Sequence, residues 1–356
     1  MNFLLSDDQQ AFLDAIRPVL NDRCDSQQVH KIFDGDDPYD TALWSHLVAM
    51  GIPAIMIDKA HGGLGLQLLD LAIIAELLGE FAAPVPFFGN AIGALAIQLA
   101  GSAEQRANWL PLLATGERLA TIAFGEGKGR WLPGEWEVPG GNSISGTKVL
   151  VPNAAEADLI IVGTRDGLAL VERGAGYKTA RTDSADRTRR LDIVTFDGTA
   201  SEMMPGDGAT IDRLIDATAT LLAADAFGGA TRCLERTVDY AKVREQYGQP
   251  IGAFQGLKHQ LANMALEIEP SRGLYWFAAH AWDDLPDKAR HAAAQAKAHC
   301  TDVYLQATRD MVEAHGGIGF TWEHDAHIYM KRAMFDWTWL GQPSLHRLRA
   351  ADLAGW

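Results

Sequence analysis

The sequence predicts an α+β multidomain chain. A helical N-terminal domain spans 1–117, a small β-barrel-like middle domain 118–208, and a C-terminal four-helix bundle 209–356. Three observations carry this expectation. Apolar residues recur at helical spacing through the first third. From about Arg118 to Gly208 the chain turns to Gly, Pro, Thr and Val, with short apolar runs split by turns. After Pro205-Gly206-Asp207-Gly208, long Ala-rich helical stretches follow with short connections, the pattern of an antiparallel bundle.

At the N-terminus, Phe3, Leu4 and Leu5 precede Ser6, an N-cap, and Phe12, Ile16, Val19 and Leu20 fall near helical spacing. A second helix is expected over Tyr39–Met50, stopping at Gly51. The run Ala60-His61-Gly62-Gly63-Leu64-Gly65 fits no regular element and reads as a loop. Helices follow at about Leu69–Phe81, Phe88–Leu99 and Ala103–Ala114, the last ending at Gly116. Strands are expected at Leu119–Phe124, Ser143–Val151, Leu159–Val162, Leu168–Val171 and Leu191–Phe196. The bundle reads as Ala209–Glu245, Phe254–Asp283 (with Leu257, Leu261, Met264 and Ile268 on one face), Pro286–Ala314 and His324–Trp337.

A chain of 356 residues suits two or three packed domains. Its net charge of −15 makes it a poor partner for nucleic acid or an anionic membrane, since phosphate would be repelled. The three cysteines, Cys24, Cys233 and Cys300, form no metal-binding spacing and no even disulfide set, which points to a reducing compartment. The first residues lack a basic leader pattern and no apolar run reaches eighteen residues. A cytoplasmic protein without a metal site is the expectation.

One corner stands out. A helix ends near Arg244-Glu245, Gly248 and Pro250 force a turn, and a new helix starts near Gly252. Such a corner presents Arg244, Gln246 and Tyr247 together and exposes N–H groups at the next helix start, a geometry suited to a diphosphate.

Several segments, in order, resemble the acyl-CoA dehydrogenase family. Trp44 to Gly51 followed by His61-Gly62-Gly63-Leu64-Gly65 resembles its "W…LG…GGxG" segment. Gly101 to Gln105, with Trp109-Leu110-Pro111 and Gly116-Glu117, resembles "GSEEQK…WLP…GE". Arg244 to Gln255 resembles "RxQFGxPIxxFQ", and His315 to Phe320 resembles "GGxGY". The resemblance implies the three-domain fold of that family, FAD as cofactor, acyl-CoA as substrate and an electron-transfer flavoprotein-like acceptor. It further implies that Arg244, Gln246, Tyr247 and Gln255, with the Gly316-Gly317 turn, meet the adenosine and diphosphate half of an FAD seated mainly on a neighbouring subunit.

The chain also departs from the family. Family chemistry uses a carboxylate that removes the proton α to the thioester. Aligning the C-terminal "YEG" position onto Trp339-Leu340-Gly341 puts Leu340 where that base would stand. Counting without gaps from Arg244 puts Thr218 and Ala219 at the alternative base and its arginine. The flavin-bed pattern "GxKxWIT" falls on Gly146 to Pro152, with Leu150 for Trp and Pro152 for Thr, and the loop supplying polar contacts is reduced to Phe124–Gly129. Glu313 stands where Gln is frequent beside the double glycine.

The half-site for a neighbour's FAD is retained while both bases and the flavin bed are missing. The ending, with Leu340-Gly341 and His346-Arg347, resembles the base-lacking chain of α2β2 members, which act on bulky thioesters such as sterol side chains. The expectation is therefore a heterotetramer with a second acyl-CoA dehydrogenase subunit. Two alternatives stay open: a stand-alone homotetrameric flavoenzyme with an unrecognised base, for which Asp225 is the weak candidate, and a non-catalytic scaffold subunit. Asp225 reads more readily as a solvated or capping carboxylate than as a base. Thr321 and Asp325 read as helix caps, and Trp337, Trp339 and Trp356 as interface packing.

Overall fold

In a computed structural model, residues 4–356 are described. Phe3, part of the expected first-helix entry, lies outside them. Helix α1 (Asp7–Arg23) opens on Ser6, whose Oγ accepts from the Gln9 N–H while Gln9 Oε1 accepts from the Ser6 N–H, a reciprocal capping box. α2 (Ser26–Asp34) was not expected. Its signal is short but present: Asp25 caps it, Val29, Ile32 and Phe33 are buried on one face, and Gly35 ends it. Helices α3 (Thr41–Ala49), α4 (Leu68–Glu80), α5 (Phe87–Ala100) and α6 (Ala103–Ala114) follow within a residue or two of expectation.

The middle of the chain forms two small sheets. In one, β1 (Ala120–Ala123) runs parallel to β3 (Leu159–Thr164), which pairs antiparallel with β4 (Gly167–Glu172), itself edged by β7 (Glu202–Met203). In the other, β2 (Ser143–Pro152) and β5 (Lys178–Arg181) flank β6 (Leu191–Ala200). β5 and β7 escaped sequence reading because neither carries an apolar alternation: β5 is exposed at every residue and β7 has two residues. The inner faces of the sheets share a small core around Ile144, Val162, Val194 and Phe196.

The C-terminal part packs α7 (Gly208–Val243), α8 (Gln255–Asp284), α9 (Pro286–His315) and α10 (Ala326–Thr338), with a further helix, α11 (Pro343–Leu353), laid against α9. α7 is buried along most of its first two-thirds because it lies between α4 and α9. Gly228 permits that contact: a Cβ there would stand 1.9 Å from the Glu76 carbonyl of α4. A single core runs from α1 through α4 and α5 into the bundle. Among the described residues no helix is long and apolar enough to cross a membrane.

Candidate functional site

The corner after α7 is a hairpin rather than a simple turn. β8 (Glu245–Gln246) pairs with β9 (Gln249–Pro250), and the two residues between, Tyr247 and Gly248, both take positive φ, 53° and 78°. That is the backbone of a two-residue type I′ connection, which matches the right-handed twist of its strands. The hairpin stands out from the bundle, and Tyr247 at its tip is 93% exposed. The Arg244 guanidinium is exposed and makes no hydrogen bond or ion pair with another described residue. Gln255 is the first residue of α8, whose N-cap position is Phe254 and supplies no side-chain acceptor. The first N–H groups of α8 therefore lack a side-chain cap, beside an unpartnered cation.

The double glycine comes to the same end of the bundle. α9 ends at His315, and Gly316 then takes a φ of 60°. A side chain added at Gly316 or Gly317 would meet nothing within 4 Å, so the turn offers bare backbone to open space. The His315 ring stacks on Tyr240 in the last turn of α7, centroids 4.3 Å apart, and Glu313 accepts from Gln260 Nε2 of α8 at 3.3 Å. Thus Arg244, Gln246, Tyr247, Gln255, Gly316 and Gly317 all lie at one end, where α7 and α9 finish and α8 begins.

The cleft between the sheets and the bundle is different in kind: it is filled. Trp339, fully buried, donates from Nε1 to the Leu150 carbonyl at 2.9 Å. Its ring packs against Phe88 and Trp131, each at 5.1 Å, and against Phe335 and Phe124. Phe124 in turn stacks on Trp136 at 5.3 Å. Leu150 takes a φ of 55° and Leu340 one of 65°, backbone costs that the packed surroundings must hold. Lys297, fully buried, donates to the carbonyls of Asp336 and Gly341 at 2.6 and 3.2 Å, and His346 Nε2 lies 3.0 Å from the Leu340 carbonyl. Burial lowers the lysine to about 7 and the histidine to about 3. The Leu340-Gly341 and His346 pattern therefore works as a clamp on the turn after α10. Trp339 belongs to the core, so the expectation of interface packing is corrected for it; Trp337 is half-buried and donates to Asp302 at 2.7 Å. Trp356 remains 93% exposed.

Asp225 is neither solvated nor a cap. It is buried beneath this aromatic cluster, and its two oxygens accept from Arg189 at 2.6 Å and from Arg332 at 2.7 and 3.1 Å. Arg189 also meets Asp336 at 2.7 Å and lies 4.7 Å from the centre of the Phe335 ring. Burial pushes the Asp225 carboxyl up, but the two guanidiniums outweigh it and hold it at about 2. Burial, with the charge of Asp225, raises Asp336 well above the carboxylate range. A carboxylate so engaged is a poor proton acceptor, which corrects its reading as a substitute base. The residues that make this network, Arg189, Arg332 and Asp336, were missed by sequence reasoning, since no local spacing links them to Asp225. Asp325 is likewise not a side-chain cap: it accepts from Ser26 at 2.6 Å, lies 3.0 Å from His30 Nε2 and pairs with Arg236. His324 Nδ1 accepts the Ala326 N–H instead.

Residues 6–117 match the model of the acyl-CoA dehydrogenase N-terminal domain and 206–353 that of the acyl-CoA dehydrogenase C-terminal domain. The acyl-CoA dehydrogenase IpdE2 of Mycobacterium tuberculosis is 30% identical over 92% of this chain and 91% of its own length. This chain belongs to the acyl-CoA dehydrogenase family. The acyl-CoA dehydrogenase IpdE2 of Mycolicibacterium smegmatis is 29% identical over 97% of this chain and 99% of its own. A solved Tcur3481–Tcur3483 steroid ACAD variant superposes with a TM-score of 0.91 at 32% identity, covering 98% of each chain. Butyryl-CoA dehydrogenase of Megasphaera elsdenii shares the fold, with a TM-score of 0.90 at 23% identity over the whole of both chains.

At Thr218, Ala219 and Leu340, where the sequence reading expects a base and its arginine, the fold holds no carboxylate. Thr218 is buried and bonds its own helix, donating to the Leu214 carbonyl at 2.7 Å; Ala219 and Leu340 are fully buried. Pro152, which the sequence reading sets at the flavin-bed threonine, offers only its carbonyl, which accepts from Thr121 Oγ1. The three segments at which the sequence departs from the family pattern, Phe124–Gly129, Leu150–Pro152 and Trp339–Leu340, meet at one place in the fold, which side chains occupy.

Proposed function

We propose that this chain is the subunit of a heteromeric FAD-dependent acyl-CoA dehydrogenase that supplies the adenosine and diphosphate half of the FAD site, while a second acyl-CoA dehydrogenase chain carries the flavin bed and the base. The observation that carries the reading is the contrast between the two halves of the site. The cleft that would seat a flavin ring on this chain is packed with Trp339, Trp131, Phe124 and Phe335, and the residues there do not fit the ring. The hairpin end is open and fits the other half of the cofactor. The Arg244 guanidinium pairs with no other described residue, the first turn of α8 has no side-chain cap, and Gly316 and Gly317 leave room for close approach.

In the complex, Arg244 pairs with the diphosphate, and a guanidinium suits it through paired N–H donors. Gln246 and Gln255 donate from their amides, and Tyr247 reaches across to the neighbour. Bound there, FAD would supply the hydride acceptor for the β carbon of the acyl-CoA. The α proton goes to the partner's carboxylate, since Asp225 is held ionised and enclosed on this chain. The likeness to a steroid ACAD whose name pairs two chains supports both a second subunit and a bulky, sterol-derived thioester. An electron-transfer flavoprotein-like acceptor completes the turnover, and a cytoplasmic location suits such a complex.

The test is an absorbance scan in the flavin band on the chain alone, and then on the chain co-expressed with the acyl-CoA dehydrogenase chain encoded beside it. The expected result is a colourless chain and a yellow complex that Arg244→Ala strips of FAD. Stoichiometric FAD on the chain alone overturns the reading in favour of an independent flavoenzyme. Undiminished FAD in the Arg244→Ala complex points to a scaffold.

A further inference from the structure

The adenosine half-site is assembled from two pieces far apart in sequence, the Arg244 hairpin and the Gly316-Gly317 turn. Neither glycine has a side chain to fix it, so the turn takes its position from its neighbours. Those neighbours form a contiguous brace. Tyr240 takes the closing bond of α7 just before the hairpin, Arg244 N–H to Tyr240 carbonyl at 2.9 Å. Its ring stacks on His315, the residue before Gly316, with planes 21° apart. His315 packs in turn on His324, centroids 4.6 Å apart, at the far end of the 316–324 loop.

The ring orientations are set by hydrogen bonds. His315 Nδ1 lies 2.7 Å from the Met311 carbonyl and must carry the proton there, while His324 Nδ1 accepts the Ala326 N–H at 3.1 Å. One turn before Tyr240, Arg236 pairs with Asp325, which also holds Ser26 of α2. The last two turns of α7 therefore grip both ends of the glycine loop, by an ion pair and by three rings packed in a row, the first two stacked and the third tilted.

We propose that Tyr240, His315 and His324 are positioning residues: their stack sets the spacing between the Arg244 hairpin and the Gly316-Gly317 turn, and with it the grip of the complex on FAD. The inference rests on the half-site reading above. None of the three needs to touch the cofactor, since each acts through a neighbouring residue that would.

The experiment measures FAD release from the co-expressed complex, by the rise in free-flavin fluorescence on dilution, beside the melting temperature of the apo complex. Tyr240→Ala and His324→Asn (the latter keeping an acceptor for the Ala326 N–H) are each expected to weaken FAD retention about tenfold, because each removes the ring packed on one side of His315. The melting temperature should stay nearly unchanged, and Tyr240→Phe, which keeps the stacked ring, should restore retention. If Arg244→Ala loses FAD but both stack variants hold it as tightly as the parent, the stack has no positioning role and the half-site reading stands. If Arg244→Ala also holds FAD, the half-site reading fails and the stack inference with it. Should Tyr240→Ala prevent assembly, His324→Asn and Tyr240→Phe decide the question.

Discussion

Replacing Asp225 by Asn separates a structural carboxylate from a catalytic one. The side chain accepts three hydrogen bonds from two buried guanidiniums, at 2.6, 2.7 and 3.1 Å. Asn keeps the shape but cancels the charge and offers one acceptor oxygen in place of two. Removing one member of a buried ion pair costs about 3–5 kcal/mol, because the partner's charge stays behind. Here Asp336 offsets part of that. Its carboxyl is pushed well above the ordinary range by burial and by Asp225, and it already meets Arg189 at 2.7 Å. With Asp225 neutral, Asp336 ionises more readily and takes over Arg189, leaving Arg332 as the main uncompensated charge. The loss should therefore fall at the low end, about 3 kcal/mol, and lower the melting temperature by roughly 5–10 °C. Thermal unfolding of the isolated chain measures it. In the assembled enzyme, turnover at a temperature where the variant stays folded should remain near the parent's. An unchanged melting temperature with abolished turnover would refute the argument and restore Asp225 as a base.

Two further outcomes follow from the same structure. Trp339→Ala should cost about 3–5 kcal/mol for the emptied volume and a further ~1–3 kcal/mol for the orphaned Leu150 carbonyl, read by denaturant unfolding. An unfolding midpoint near the parent's would show that the cleft is not packed. Asp283, which accepts the Leu68 N–H at the start of α4, is raised by burial to about 6. Its folded pKa lies above the unfolded value, so its contribution is full in acid and is lost as pH rises through about 6. Asp283→Asn should thus raise the melting temperature at pH 7.5 and leave it unchanged at pH 4, and equal effects at both values would contradict the assignment.

Much of the architecture was legible in the sequence because long helices repeat their apolar faces many times. Ile16 and Leu20, Met264 and Ile268 each sit where the period puts them and are buried. Short elements gave too few repeats: α2 has nine residues, β5 has four and all are polar-facing, and α11 hides behind a single Gln342-Pro343 start. The hairpin corner was readable because Gly248 and Pro250 act on the backbone within a few residues. The filled cleft was not. Its aromatic residues come from six places between Phe88 and Trp339, and what each touches depends on tertiary packing that no local window contains. Asp225 failed for the same reason: its environment is made by two arginines 36 and 107 residues away along the chain.

The aromatic filling of the cleft bears on how such a subunit is made in the cell. A protein that folds around its cofactor leaves a hole when the cofactor is scarce, and its unliganded form is exposed to proteolysis. Here Trp339 and its neighbours close the cleft from within, so the newly made chain has no vacancy to wait on. On the half-site reading, its maturation would be uncoupled from flavin supply. A shortage would be felt only when two chains meet, where the exposed Arg244 hairpin would find no diphosphate to close on, leaving a folded and reusable pool of the unassembled subunit.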